Sequence, residues 1–130
     1  MFRFFGRGFL NLLFSSWERW LRSKYHSKKV IIDGITFDSL KEGNYYTKLK
    51  LLQKSEVIKD LELQKEYLLQ EKFKINGKTR REITYKADFT YITTEDNKIH
   101  VVDTKGFRTE VYKIKKKMFE YKYGIELEEV

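Results

Sequence analysis

The chain contains no cysteine and no proline. The first absence excludes disulfides and thiolate metal sites, and the second excludes a proline-rich linker or tail. Histidine is scarce as well: His26 and His100 stand far apart and cannot build a zinc site on their own. Any bound metal is therefore expected to rest on oxygen ligands. No apolar run approaches the ~18 residues of a membrane-spanning helix. A secretory leader is not expected either, because Asn11 interrupts the short run from Phe9 to Phe14 and no small-x-small cleavage site follows.

What the sequence does have is length, aromatic residues and positive charge. At 130 residues, 41% hydrophobic and 35% charged, it suits one folded domain with its own core. The net charge of +8 points to a polyanionic partner, nucleic acid first and an anionic membrane surface second. Residues 1–23 stand apart as an aromatic, basic, amphipathic extension, in which Arg3, Arg7, Arg19 and Arg22 face a single acid, Glu18. Such a segment can dock on the main domain, on a dimer mate or on a membrane surface. Residues 24–130 form the domain proper.

Within that domain, Asp33-Gly34 between apolar β-formers predicts a hairpin over Val30 to Phe37. Ser39 with Glu42 three residues on fits a capping box for a helix running to about Lys54. Val57 to Gln64 and Tyr67 to Ile75 read as strands, and Asn76-Gly77 as a turn before a third strand from Ile83 to Ile92. Ile99 to Lys105 follows, then a helix capped by Thr109 and ended by Gly124, then a short strand from Ile125 to Val130. The order α-β-β-β-α-β after an N-terminal hairpin predicts an α/β (α+β) fold. Its mixed β-sheet is flanked by helices, and the last helix crosses over to a parallel strand. In that helix Val111, Ile114, Met118 and Tyr121 are expected to turn inward, leaving Lys113, Lys116 and Lys117 exposed.

The candidate chemistry lies in carboxylates. Three acid-x-Lys pairs occur: Asp96-x-Lys98 in a turn, Glu120-x-Lys122 in a helix and Asp103-x-Lys105 on a strand. Only on the strand does a period of two aim both side chains the same way. A hairpin centred between Glu95 and Asp96 sets Ile92 opposite Ile99 and Asp88 opposite Asp103. Like charges directly opposed repel, so a counter-charge is required, either Lys105 or a divalent cation. Asp88 also admits a plain reading as a solvated residue beside Thr84, Lys86 and Thr90. Glu42 admits one as the acid of the capping box, although it falls within the inward stripe of Tyr45, Tyr46, Leu49 and Leu52.

At these residues the chain resembles the PD-(D/E)XK nuclease superfamily, through IDGITFDSLKE, ITYKADF and VVDTKGF. It looks most like a small phage-encoded branch of proteins of unknown function, with the layout of phage Holliday-junction endonucleases and transposon end-cleaving endonucleases. Ala87 stands where the superfamily is named for proline, and Asp103 where glutamate is commoner. The resemblance implies a restriction-endonuclease-like core and Mg²⁺-dependent hydrolysis of DNA phosphodiesters, with Mn²⁺ as a substitute. It further implies that Asp88, Asp103 and the Thr104 backbone carbonyl bind the ion, that Glu42 binds the same or a second one, and that Lys105 orients water or stabilises charge on the phosphate. Lys113, Lys116, Lys117, Arg80, Arg81 and Arg108 become candidates for the DNA backbone. A homodimer and a cytoplasmic site of action, in a bacterial host, go with that reading. His100 alternates away from the acidic face and is read as structural.

Overall fold

The computed structural model describes residues 28–104 and 107–130. The 1–23 extension and its boundary with the following domain lie outside the described residues. The chain divides into two compact units, 1–43 and 44–130. In the first, β1 (Val30–Ile32) and β2 (Ile35–Phe37) pair antiparallel. Asp33 and Gly34 both hold positive φ, 54° and 76°, as a tight hairpin turn demands of its two central residues. Ser39 then opens α1 (Leu40–Lys54), its hydroxyl accepting from the Glu42 amide at 3.1 Å and its carbonyl from the Gly43 amide at 3.1 Å. Gly43 is required by close approach: a Cβ there would lie 2.8 Å from Val30 Cγ2 and 3.0 Å from Ile32 Cδ1.

The second unit is built on a mixed, mostly antiparallel sheet, so the α+β reading holds. Its strand order is β3 (Ile58–Gln70), β6 (Ile83–Thr93), β7 (Lys98–Asp103), β8 (Leu127–Glu129). β6 pairs antiparallel with both β3 and β7, and β8 lies parallel to β7. The crossover to that parallel strand is α2 (Glu110–Tyr123). Thr109 accepts from the Tyr112 amide at 3.1 Å at its start, and Gly124 ends it in the left-handed conformation. Phe119, Tyr112, Val101, Tyr85, Ala87, Leu69 and Leu127 form the core between α2 and the sheet.

Three expectations are corrected. First, the two strands read over 57–75 are largely one. Asp60 and Gln64 take positive φ, 55° and 54°, which lets the chain kink without leaving the ladder, so β3 runs from Ile58 to Gln70. Second, Asn76-Gly77 does form its turn but closes a separate two-stranded ribbon, β4 (Phe73–Ile75) with β5 (Lys78–Arg80), before β6 begins. Third, α2 is rotated from its expected facing. Tyr112 and Phe119 are buried, Met118 packs at the core's edge, and Val111, Ile114 and Tyr121 are exposed. Two large rings bury more apolar area than the aliphatic stripe beside them, and Phe119 meets Tyr67 and Tyr85 at ring distances of 4.9 and 5.7 Å.

Candidate active site

The register of β6 and β7 runs Thr93↔Lys98, Ile92↔Ile99, Tyr91↔His100, Thr90↔Val101, Phe89↔Val102. This is the pairing the hairpin turn predicts, and it runs as far as Phe89↔Val102, with Asp88 and Asp103 the next residue of each strand. At Asp88 the alternation of β6 changes phase. Ala87 belongs to the α2-side core, whereas Phe89 packs its ring 5.4 Å from that of Tyr45 on α1. The partner strand kinks at the same level, with Gln64 at positive φ between the pairs Leu63↔Phe89 and Lys65↔Ala87. The irregularity re-aims one side chain, a use to which strand irregularities are commonly put.

Asp88 is thereby directed at the end of β7. Its Oδ2 accepts from the Thr104 amide at 2.9 Å and from the Thr104 hydroxyl at 2.8 Å, and its Oδ1 accepts from Gln64 Nε2 at 3.3 Å. Asp103 is fully buried, and its Oδ2 accepts from the Tyr85 hydroxyl. Burial, that hydrogen bond and the charge of Asp103, with further contributions from Tyr112 and Asp88, push the Tyr85 pKa well above its ordinary value. Each carboxylate thus accepts from neutral donors, Asp103 from Tyr85 and Asp88 from Thr104 and Gln64. Thr104 meets Asp88 through its amide and hydroxyl, contacts the sequence reading did not anticipate.

Sequence reasoning also missed a second layer. Asp103 pairs in register with Glu129 on β8, whose carboxylate accepts from the Tyr112 hydroxyl at 2.7 Å and from Arg108 Nε at 2.9 Å, with Lys116 Nζ at 3.5 Å. Tyr112 chiefly, then Arg108 and Lys116, hold the Glu129 carboxyl below its usual range. Burial and Glu129 push the Tyr112 pKa up, and Asp103 adds to this. Only a topology that lays β8 beside β7 could have revealed Glu129.

Of the other candidates, Glu42 is buried in the first unit, and its Oε1 accepts from the Asp38 amide at 3.1 Å. The capping geometry is therefore present, with the acid reaching one residue before Ser39. Lys105 lies outside the described residues. Arg108 and Lys116 are paired with Glu129, Lys113 meets Glu110 at 3.1 Å, and Lys117, Arg80 and Arg81 are exposed. His100 is built into the sheet, with Nδ1 2.6 Å from Glu128 Oε2 and its ring stacked on Tyr91 at 4.9 Å.

Among the described residues no three His, Cys, Asp or Glu side chains form a ready-made metal cage. The donors present are oxygens, which suit a hard cation, and Mg²⁺ ordinarily takes only one or two carboxylates alongside phosphate oxygens and water. Asp88 and Asp103 fit that requirement in number and chemistry. No helix among the described residues is long and apolar enough to cross a membrane.

No curated protein and no solved structure matches the chain. One family model does, over residues 22–129, described as a protein of unknown function (DUF1064). Because that match takes in the hairpin, both helices and the whole sheet, the chain belongs to the DUF1064 family.

Proposed function

We propose that this protein is a metal-dependent DNA endonuclease that hydrolyses phosphodiester bonds, acting on branched or junction DNA during phage recombination or DNA processing. The observation that carries the reading is the β6–β7 register, which runs to Phe89↔Val102 and so leaves Asp88 and Asp103, the next residue of each strand, at one end of the pair, with Thr104 and Lys105 following in sequence. Two aspartates at one end of a strand pair suit a site that takes a hard cation.

In this reading Asp88 and Asp103 hold Mg²⁺ or Mn²⁺, with Thr104 fixing the Asp88 carboxylate and Tyr85 that of Asp103. When bound, such an ion polarises a phosphoryl oxygen and lowers the pKa of water. Lys105 orients the attacking water or offsets charge on the phosphate. Glu42 serves as helix cap. Symmetric cutting of a junction calls for a homodimer, and the cytoplasm of a bacterial host is the fitting compartment.

A second reading, a non-catalytic nucleic-acid binder on the same fold, is favoured by the complete burial of Asp103 and its bond to Tyr85, which also suit a purely structural acid. Calorimetric titration with Mn²⁺ separates the two. The endonuclease reading expects saturable binding that weakens at least about tenfold in Asp88→Asn, in line with loss of one of few ligands. Equal heats from wild type and variant would remove the metal site.

A further inference from the structure

Among the described residues of the second unit, the β4–β5 ribbon is the one stretch with every residue exposed over so long a run, from Gln70 to Glu82. Its strands form a sheet of their own. From Glu71 to Glu82 it carries Lys72, Lys74, Lys78, Arg80 and Arg81 against only Glu71 and Glu82, which sit at its base. Its register pairs Phe73 with Arg80 and Ile75 with Lys78, and directly opposed residues point the same way. One face therefore presents two apolar and two cationic side chains, with Phe73 45% and Ile75 50% exposed. Lys74 and Thr79 occupy the other face.

From this arrangement we infer that the ribbon is a duplex-DNA contact element that enters a groove and grips the phosphates on its walls. Interleaved apolar and basic groups match the two tasks of a DNA interface: the cations position the protein on the backbone, and the apolar groups meet sugars and base edges. The dimensions fit, since strands ~4.8 Å apart make a ribbon that the ~12 Å major groove admits. The location fits too. The ribbon leaves the sheet between the end of β3 and the start of β6, the end toward which β7 runs into Asp103. Asp88 lies five steps along β6 from Ile83, about 17 Å, or half the ~34 Å turn of a duplex. A duplex held by the ribbon can therefore extend to the carboxylates. This last step rests on the endonuclease reading; the DNA contact itself does not.

The test is anisotropy of a short labelled duplex with full-length protein in EDTA, so that binding is read without cleavage. Lys78→Ala combined with Arg80→Ala should weaken duplex binding about tenfold or more, and lower the slope of log K against log salt by about 2, at ~0.9 per lost phosphate contact. Phe73→Ala should weaken binding severalfold and leave the slope unchanged, because an apolar contact releases no counterions. Both proteins should melt like wild type, since the altered side chains are exposed. Duplex affinities equal to wild type would overturn the inference, as would an absence of duplex binding by wild type. A loss seen on phosphatidylserine vesicles but not on duplex would overturn it in favour of a membrane contact. Ribbon-dependent binding by a protein that never cleaves in Mg²⁺ would support the inference while removing the nuclease reading. Cleavage with ribbon-independent binding would do the reverse.

Discussion

Replacing Tyr85 by phenylalanine removes a single oxygen from the buried part of the candidate site. The ring is retained, and with it the packing on Phe119 and Tyr112 at 5.7 and 6.4 Å. What goes is the hydroxyl's bond to Asp103, a carboxylate with no exposed surface. A hydrogen bond to a charged group contributes about 1.5–3 kcal/mol. A chain of 130 residues has an unfolding entropy near 0.27 kcal/mol/K at about 2.1 cal/mol/K per residue, so a loss of about 2 kcal/mol lowers Tm by about 7 °C. Melting followed by circular dichroism at pH 7 measures this. Tyr112→Phe is the internal control: its partner Glu129 keeps Arg108 and Lys116, and the loss should stay below about 1 kcal/mol. A Tyr85→Phe protein that melts within about 2 °C of wild type, against the ~7 °C expected from the entropy scaling, would show that Asp103 is not held by this hydroxyl in solution.

The same tyrosine governs alkaline stability. Its folded pKa is raised above the ordinary 10.0, so its contribution is complete below pH 10 and is lost as pH rises beyond it. The linkage slope is about 1.4 kcal/mol per pH unit, and Tyr85→Phe should flatten the alkaline limb by that amount; an unchanged limb refutes the assignment. Glu129 acts at the other extreme. Its folded pKa is depressed, so its stabilisation is present above its ordinary 4.5 and fades as pH falls through the folded value. Glu129→Gln should therefore flatten the acid limb of a stability profile, and a limb as steep as wild type's would contradict this. Gly43→Ala should destabilise by about 1 kcal/mol, because crowding against Val30 and Ile32 outweighs the ~1 kcal/mol gain in helix propensity. A higher midpoint in urea would show that the approach is looser than described.

Much of the frame was legible because a few residues have narrow uses. Asp33-Gly34 and Asn76-Gly77 supply the positive φ of two-residue turns, and Ser39, Thr109 and Gly124 satisfy helix ends. The turn after Thr93 set the register that runs to Phe89↔Val102 and leaves Asp88 and Asp103 at one end of the pair. Illegible parts share a different character. β3 is an edge strand with Lys, Glu and Gln on both sides, so it shows no clean alternation, and its kinks rely on positive φ at Asp60 and Gln64, which the sequence does not advertise. The facing of α2 depended on a contest between two apolar stripes that only the sheet's aromatic side chains could decide. Around the site, the acid-x-Lys spacing drew attention to Asp103, but Tyr85, Thr104 and Glu129 act through pairings set by topology and by the phase change at Asp88.

Asp88 and Asp103 are proposed to form a cation site that supports DNA hydrolysis. The most direct test is incubation of full-length protein with linear, nicked and four-way-junction DNA in Mg²⁺ or Mn²⁺, beside Asp103→Asn and Lys105→Ala. Wild type should cleave in a metal-dependent manner, with a loss of at least about a hundredfold in either variant, in keeping with removal of a group that acts on the reacting phosphate. Absence of cleavage on every substrate, or equal cleavage by the variants, would contradict the proposal.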